Sequence, residues 1–478
     1  MLHTFLYLFV ACLFANPSYN EVFDDNGKKR LPYFILDQIG FPANFNNQKL
    51  SHKMKDSPLR DKLKIHPIPL VMEEKEYIDI ISDINVRMVD LVSIFYTYVF
   101  LNHSYSEDYI NILFNLEGWS LEKLRALWRG QPKEKLRAFF GPDLYRMHDG
   151  RWAVLEDNIG NVGGRGDVKA IFDSMTSASD WPSYFIRPDF IEASVAFFLE
   201  SIGLSLDDPK DIEKTVAIWQ YDTEKTDIDD KEDLRIYEEL KQLGIRVIKP
   251  SRNTDLIRDI IANEGTKAIL NFSDPTFNKE LNYDFYYHIL QETNIELMVA
   301  PGIEVIDNKA FTHMVYDMKK KGKVAIDIES YDLVTEIPEK IKLKPSDYVF
   351  KASNGVQGEQ VLFFNDASEE VNRKNLENFF YKNSFQDNGN HYFFYIAQKL
   401  ISPSTIPGDK YNPEVAIDLR PLGYFYGNGS TVYSSPWARA AELKKNVKTN
   451  INQGASELVV LLLADEAAKP FRCQYLFH

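Results

Sequence analysis

The first strong pattern of hydrophobic and polar positions lies between Glu73 and Leu101. Apolar residues recur there every three or four positions, at Ile78, Ile81, Ile84, Val86, Val89, Leu91, Ile94 and Phe95. This spacing predicts one or two amphipathic helices packed on a lobe of the protein. A second helical stretch, LEKLRALW, follows at residues 121–128. By contrast, residues 16–60 are polar, and within them FPANFNNQKLSHKMKDSP (41–58) predicts a loop or a loosely packed extension.

The middle of the chain alternates short apolar runs with helical patterns. The runs are TVAIWQY (215–221), IRVIKP (245–250), KAILNF (267–272) and IELMVA (295–300). Between several of them lie helical patterns such as DLRIYEELKQLG, whose last residue, Gly244, suits the end of a helix. Alternating strands and helices are typical of a parallel sheet with helices packed beside it. The pattern predicts a parallel α/β region.

The last third of the chain is predicted to contain mainly strands. DYVFKAS (347–353) and EQVLFF (359–364) flank NGVQG, which is typical of a β-hairpin. The further predicted strands are HYFFYIAQKLI (391–401), EVAIDLRPLGYF (414–425) and SELVVLLLAD (456–465). The predicted fold class is therefore α/β, built from α+β lobes.

Composition excludes some classes of function. The chain has 478 residues with 55 basic and 70 acidic side chains, so its net charge is -15. This balance argues against nucleic acid as a main partner, because phosphate backbones bind to basic surfaces. The two cysteines, Cys12 and Cys473, cannot build a zinc cluster or a disulfide framework.

The first fifteen residues, MLHTFLYLFVACLFA, are apolar apart from His3 and Thr4. Their length suits the apolar core of a signal peptide and is too short for a membrane span. No Lys or Arg precedes them, so a signal peptide and a buried N-terminal segment both stay open. The predicted location is cytoplasmic, with secreted or periplasmic as the alternative. No later stretch predicts an integral membrane span.

Candidate chemistry begins where the apolar run from Trp152 to Leu155 meets Glu156, Asp157 and Asn158. Alternate side chains of a strand share a face, so Glu156 and Asn158 point one way and Asp157 points elsewhere. A carboxylate and an amide oxygen at a strand end suit Mg²⁺. Asp143, on a plausible neighbouring strand, can add a third oxygen. A strand-end turn with solvated acidic side chains is the alternative explanation.

Lysines and glycines form a second group of candidates. Lys351 interrupts an apolar strand, where a lysine must reach solvent or meet an anion. The loop after it contains Gly355 and Gly358, where the backbone can approach a phosphate. Lys309 stands just before a predicted helix. An edge-strand lysine, an ordinary hairpin turn and a surface lysine are the alternative explanations.

Further polar residues interrupt the C-terminal strands. Gln398 and Lys399 break the apolar run YIAQKLI. Asp418 and Arg420 lie two positions apart and so share a face of their strand. Arg439 stands in SSPWARAA. A surface ion pair or a satisfied strand edge would explain any one of them.

The order of these motifs resembles the circularly permuted ATP-grasp family and, more distantly, the synthetase domain of glutathionylspermidine synthetase. The matching motifs, between about residues 65 and 465, are Asp143, LEDN, DNK, VFKASNGVQGEQV, AQKLI, DLRP, AR and NINQGAS. The resemblance implies a circularly permuted ATP-grasp fold with a parallel α/β pre-ATP-grasp-like region and an N-terminal helical segment. This chain departs from the family after LEDN, where GNVGG replaces the usual Pro-Ser-Gly turn. Its phosphate loop is also poorer in glycine.

The resemblance implies an ATP- and Mg²⁺-dependent carboxylate–amine ligase that acts through an acylphosphate. Its partners would be small-molecule acid and amine substrates, whose identity stays open, as does the oligomeric state. The departures from the family leave an alternative. The chain would then be a degenerate ATP-grasp protein that acts as a nucleotide-binding or protein-interaction module without turnover.

The resemblance also implies roles for individual residues. The implied metal ligands are Asp143, Glu156 and Asn158, with Asn452 in the loop that closes the metal site. The residues implied to hold ATP are Lys309, Lys351, Ser353, Gly355, Gly358, Gln398, Lys399 and Leu400. Arg420 and Arg439 are the implied catalytic residues, facing the γ-phosphate or the acylphosphate.

The chain is accordingly divided into six segments. They are an apolar leader (1–15), an N-terminal extension with a helical region (16–135), the metal-binding part of the ATP-grasp unit (136–210), the parallel α/β region (211–303), a nucleotide-binding lobe (304–395) and the C-terminal part of the ATP-grasp lobe (396–478).

Overall fold

The structure is a computed structural model. It describes residues 19–38, 65–100, 107–116, 118–160, 162, 168, 171–172, 184–205, 209–213, 215–219, 231–248, 259–262, 264–270, 283–320, 328–333, 338–354, 361–364, 374, 376, 378, 385–387, 390–392, 395–408, 414–429, 431–442 and 455–477. The apolar leader, Gly355, Gly358 and Asn452 lie outside the described residues.

The helices of the described chain are α1 (Leu31–Gln38), α2 (Glu74–Phe100), α3 (Glu107–Leu116), α4 (Leu121–Trp128), α5 (Phe190–Ser201), α6 (Pro209–Glu213), α7 (Lys231–Gln242), α8 (Tyr283–Glu292), α9 (Lys309–Lys320), α10 (Glu339–Leu343) and α11 (Asp465–Phe477). The strands are β1 (Leu70–Glu73), β2 (Ala138–Phe140), β3 (Asp143–Arg146), β4 (Trp152–Glu156), β5 (Ile159–Gly160), β6 (Val216–Trp219), β7 (Arg246–Ile248), β8 (Ala268–Leu270), β9 (Glu296–Leu297), β10 (Ser330–Asp332), β11 (Tyr348–Ala352), β12 (Val361–Phe363), β13 (Phe385–Asp387), β14 (Asn390–Tyr392), β15 (Tyr395–Lys399), β16 (Thr405–Pro407), β17 (Glu414–Arg420), β18 (Gly423–Phe425), β19 (Thr431–Tyr433), β20 (Trp437–Glu442), β21 (Ser456–Leu458) and β22 (Val460–Leu463).

The largest sheet has six strands in the order β21-β20-β17-β3-β4, with β16 also paired to β17. Its pairings are antiparallel. Leu144, Leu419 and Ala438 are neighbours across three of these strands and are fully buried. Because strand side chains alternate between faces, the residues next to them in sequence face the other way. Those residues include Asp143, Asp418, Arg420 and Arg439.

A second, four-stranded antiparallel sheet has the order β10-β15-β11-β12. It has a small core of its own, in which Phe350 and Ala397 are fully buried. Lys351 follows Phe350 on β11 and therefore points to the opposite face. That face lies against β4 of the large sheet, because the Lys351 ammonium contacts the β4 backbone.

The predicted parallel α/β region is confirmed. β7, β6, β8 and β9 form a parallel sheet in that order. The helix predicted to stop before Gly244 ends at Gln242, and Gly244 has a φ of 93°. A positive φ suits glycine at a helix end. The predicted helix at 121–128 is also confirmed, as α4.

Other sequence predictions need correction. The stretch 16–60 is polar on average, but it contains α1, whose Tyr33, Ile35 and Leu36 are buried. The short apolar run LPYFIL is diluted by the polar residues around it, so the average over the segment conceals it. The loop predicted at 41–58 lies outside the described residues. By contrast, the prediction of one or two amphipathic helices after Glu73 is confirmed, because α2 is a single helix of 27 residues.

Three predicted strands are each split into two. The stretch 414–425 divides at Pro421 into β17 and β18, which belong to different sheets. Proline has no amide hydrogen and cannot continue a ladder. The stretches 391–401 and 456–465 contain no proline, yet each also holds two strands of different sheets, β14 and β15 in the first and β21 and β22 in the second. A continuous apolar run therefore marks buried strands without showing where the chain changes sheet.

Candidate functional site

The site is built on a β-bulge between β3 and β4. Asp143 pairs with Glu156, but the next residue, Leu144, pairs with Val154, so Leu155 is extra in β4. A bulge disrupts the hydrogen-bond ladder locally. The carbonyl oxygen of Leu155 accepts a hydrogen bond from Lys351 Nζ at 2.8 Å. The irregularity in one sheet thus provides a contact for the other.

Four side chains meet at this point, and we name Glu156, Lys309, Lys351 and Gln398 the lysine cluster. Lys309 Nζ lies 3.0 Å from Glu156 Oε1. Lys351 Nζ donates to Gln398 Oε1 at 2.8 Å. Lys309 and Lys351 are only 5% and 8% exposed. Within this cluster, two ammonium groups face one carboxylate, so it carries a net positive charge.

The pKa of Lys351 is shifted by its burial and by the charges around it. Burial is the main reason that its pKa falls to about 8; Glu156 opposes this shift, and the neighbouring Lys309 adds to it. Desolvation disfavours an ammonium ion unless an anion compensates it. Lys351 is therefore a cation at neutral pH that a second anion would stabilise.

The start of α9 holds Lys309 in place. Asn308 Oδ1 accepts from the amide of Ala310 at 3.0 Å, as a residue before a helix commonly does. The amide of Lys309 donates to Ser353 O at 2.7 Å, which ties α9 to the end of β11. Ser353 is buried, and its Oγ has no hydrogen-bond partner among the described residues.

A second group lies next to the first, and we name Asp143, Asp418, Arg420 and Arg439 the arginine cluster. Arg420 donates from Nε and Nη2 to the two oxygens of Asp143, at 2.6 and 2.9 Å. Arg439 Nη2 lies 2.8 Å from Asp143 and also binds Asp418, to which Nε donates at 3.0 Å. All four residues are buried.

These four charges balance. Burial alone would raise the pKa of Asp143, but Arg420 and Arg439 hold it well below its usual range. Burial opposes the charge of Arg439, and Asp143 and Asp418 more than offset this, so its pKa is raised. Asp143 and Arg439 therefore stay ionised beside each other.

Trp437 forms a platform beside the arginine cluster. The guanidinium carbons of Arg420 and Arg439 each lie 5.1 Å from the centre of its ring. Its buried indole Nε1 donates to no atom of the described chain. Aromatic faces attract guanidinium ions at this distance.

The remaining predicted site residues lie further from the clusters. Asn158 Nδ2 donates to Gly141 O at 3.0 Å, and the Gly141 amide donates back to Asn158 O. Lys399 is partly exposed and lies 3.2 Å from Asp347, whose carbonyl accepts from the amide of Leu400. Among the implied ATP residues at 398–400, only Gln398 belongs to the lysine cluster.

Sequence reasoning missed the partners of Asp157. Arg87 on α2 donates to both of its oxygens, and Thr312 on α9 donates to one of them. Asp157 does point away from Glu156, as predicted. A signal was present, because Arg87 interrupts an apolar helical pattern between Val86 and Met88.

Metal binding is limited by the kinds of side chain present. Within the described ranges, three or more His, Cys, Asp or Glu residues nowhere gather in a way that could hold a metal ion. The implied set adds an amide oxygen, from Asn158, to the acids Asp143 and Glu156.

In the same described part of the chain, no helix is long and apolar enough to cross a bilayer.

Comparison with known proteins supplies a likeness in fold. No protein-family model matches the chain, and no curated protein matches it. Among solved structures, it is similar to a glutathione synthetase-like effector from Globodera pallida in its apoform, with a TM-score of 0.54 and 10% identity. The likeness covers 92% of this chain and 100% of that one. The chain therefore shares a mixed α/β fold with a glutathione synthetase-like structure.

Proposed function

We propose that the chain is an ATP- and Mg²⁺-dependent carboxylate–amine ligase that forms an amide or peptide-like bond through an acylphosphate. The observation that carries the proposal is the lysine cluster. Two buried ammonium groups from α9 and β11 meet at the end of β4. The fold likeness to a glutathione synthetase-like structure supports it.

The lysine cluster suits the phosphates of ATP. Lys309 and Lys351 provide positive charge in a site of low exposure, where an ion interacts more strongly than in water. Ser353 adds a hydroxyl without a partner in the described chain. These groups would orient and neutralise the phosphates, which is most of what a protein contributes to phosphoryl transfer.

The donor atoms near the strand end fit Mg²⁺ in kind. Glu156 and Asn158 would hold it through oxygens, with Asp143 as the third predicted ligand. Bound there, Mg²⁺ would neutralise charge on phosphate oxygens. Both oxygens of Asp143 accept hydrogen bonds from arginines, so one of those bonds would have to open for Asp143 to serve.

The arginine cluster suits the reacting acid. The hydrogen bonds of Arg420 and Arg439 to the two aspartates use Nε and Nη2. Nη1 of each takes no part in these four bonds and would bind a carboxylate or phosphoryl oxygen of the substrate. In the proposed reaction, a carboxylate oxygen attacks the γ-phosphorus and ADP leaves. The amine then attacks the acyl carbon, phosphate leaves and the amine loses a proton.

A second candidate is a degenerate protein that binds nucleotide without turnover. The saturation of Asp143 by two guanidinium groups favours it, because an occupied carboxylate is a poor metal ligand. ADP release that depends on Mg²⁺ separates the two candidates. A ligase releases ADP when acid and amine are supplied, and a binding module releases none.

The test of the proposed function is ATP binding by calorimetry, with and without Mg²⁺, on wild type and Glu156→Gln. We expect tighter binding with Mg²⁺, and we expect the substitution to remove that difference because a metal ligand loses its charge. Glu414→Gln, an exposed glutamate on β17, is the matched control and should behave as wild type. A folded wild-type protein that binds no ATP would refute the proposal.

A further inference from the structure

Asp157, at the end of β4, points away from the lysine cluster and forms a buried ion pair with Arg87. Arg87 donates from Nε and Nη2 to the two oxygens of Asp157, at 2.7 Å each. Thr312 Oγ1 donates to the same carboxylate at 2.9 Å. The Arg87 and Asp157 side chains are almost fully buried. A forked contact of this kind fixes orientation as well as distance.

Through Asp157, the end of β4 is linked to α2 and to α9, and two of these elements, β4 and α9, contribute to the lysine cluster. Arg87 belongs to α2, and Thr312 lies one turn after Lys309 on α9. Residues three apart on a helix lie on neighbouring parts of its surface. α9 therefore contacts the β4 end twice, through Lys309 to Glu156 and through Thr312 to Asp157.

The bulge makes such an anchor necessary. Because Leu155 is an extra residue in β4, the pairing of β4 with β3 at Asp143 can shift by one residue. A shift by one residue turns every side chain of a strand to the other face. Without an anchor, Glu156 would turn away from the lysines and Asp157 would turn toward them.

We infer that Arg87, Asp157 and Thr312 form a positioning set that keeps Glu156 and Lys309 facing each other. They touch neither substrate nor metal in the proposed mechanism and act through their neighbours. The meaning of this positioning for catalysis rests on the proposed function. The positioning itself can be measured without nucleotide.

The energetics of buried ion pairs provide a way to test this. Removing one partner leaves a buried charge and destabilises the fold, whereas replacing both by apolar residues is often neutral. The double variant Arg87→Met/Asp157→Leu therefore removes both charges of the anchor. Its matched control is Arg137→Met/Glu296→Leu, which removes an Arg–Glu pair, 2.7 Å apart, between the residue before β2 and the first residue of β9.

The readout is the rate at which Lys309 is reductively methylated, measured by mass spectrometry of peptides in the absence of nucleotide. We expect the Arg87/Asp157 double variant to react about tenfold faster at Lys309, because the ammonium loses a charge-assisted partner. Exposed Lys340 should react at one rate in every variant. The Arg137/Glu296 variant should leave Lys309 as slow as in wild type.

An unchanged Lys309 rate in a folded double variant would overturn the inference. An equal increase in the Arg137/Glu296 variant would also overturn it, because the effect would then be general loosening. If the double variant does not fold, Thr312→Val decides, since it removes only a hydroxyl. We expect this substitution to raise the methylation rate of Lys309 about threefold. An unchanged rate would again refute the positioning set.

Nucleotide binding separates this inference from the proposed function. We expect about tenfold weaker ATP binding in the Arg87/Asp157 variant, as the Lys309 contact is no longer held in place. If wild type binds no ATP while Lys309 still reacts faster in the variant, the positioning set stands and the ligase proposal fails.

Discussion

The lysine cluster and the arginine cluster are adjacent, but buried charges are balanced in the arginine cluster and unbalanced in the lysine cluster. In the arginine cluster two acids and two arginines cancel, and every carboxylate oxygen of Asp143 is bound. In the lysine cluster the carboxylate of Glu156 pairs with Lys309, while Lys351 contacts an amide oxygen and a carbonyl. The arginine cluster lies on three strands of the six-stranded sheet, whereas the lysine cluster joins β4 of that sheet to α9 and to the four-stranded sheet.

Under the proposed function, the difference separates buried charge that stabilises the fold from buried charge that binds a ligand. Balanced ion pairs can be satisfied by the protein alone. Excess buried charge is costly, and a protein retains it where a binding partner compensates. The depressed pKa of Lys351, which burial causes, is the mark of this excess. The two clusters should accordingly respond to substitution in different assays.

The largest effect is expected from Arg439→Met. This change leaves Asp418 buried without its main cation, and one broken partner of a buried pair costs about 3–5 kcal/mol. We expect the free energy of unfolding, measured in urea, to fall by this amount. Arg151→Met, which removes an exposed arginine paired with Asp149, should cost less than about 1 kcal/mol. Equal losses in both variants would show that the arginine cluster does not stabilise the fold.

A smaller effect, in a different assay, is expected from Lys351→Met. Loss of a charged contact to phosphate should weaken ATP binding by about 2 kcal/mol, or about 30-fold. The free energy of unfolding should change by about 1 kcal/mol or less, because methionine fills a similar volume and removes a desolvated charge. Lys340→Met, at an exposed site, is the control. Wild-type ATP affinity in Lys351→Met would remove Lys351 from the site.

The sequence predicted the positions of both clusters better than their contacts. Alternation along a strand is a local property, so the opposite orientations of Glu156 and Asp157 followed from spacing alone. The proximity of Lys309 and Lys351 depends on two sheets meeting, and no local pattern carries that information. Their place in one site came from the resemblance in motif order.

The pairing of the arginines was hidden for a related reason. Asp418 and Arg420 were recognised as sharing a face, but Arg420 pairs with Asp143, a residue 277 positions away in the chain. The bulge at Leu155 was also beyond prediction, since it depends on the register between β3 and β4. Long-range pairing decided both contacts, whereas the parallel sheet and α4 followed from short-range patterns.

The smallest expected effect is a pH dependence that belongs to the lysine cluster alone. Burial lowers the pKa of Lys351 to about 8, so raising the pH from 8 to 9 lowers its charged fraction from about one half to about one tenth and should weaken ATP binding by up to about fivefold. Phosphate esters are already ionised in this range, since their second pKa is about 6.

Stability should move in the opposite direction over the same range. An unfolded lysine has a pKa of about 10.4, so between pH 8 and 10.4 the unfolded chain binds more protons at this residue than the folded chain does. The contribution of Lys351 to the free energy of unfolding therefore rises with pH while ATP affinity falls. Calorimetry would measure the ATP affinity from pH 7 to 9, and urea unfolding would measure the free energy of unfolding over the same range. Lys351→Met is the reference variant, in which the part of each pH dependence that comes from Lys351 should be absent. An ATP affinity that stays level across this range would mean that the Lys351 ammonium does not face the phosphates, and the contrast between the two clusters would then no longer identify the ligand site.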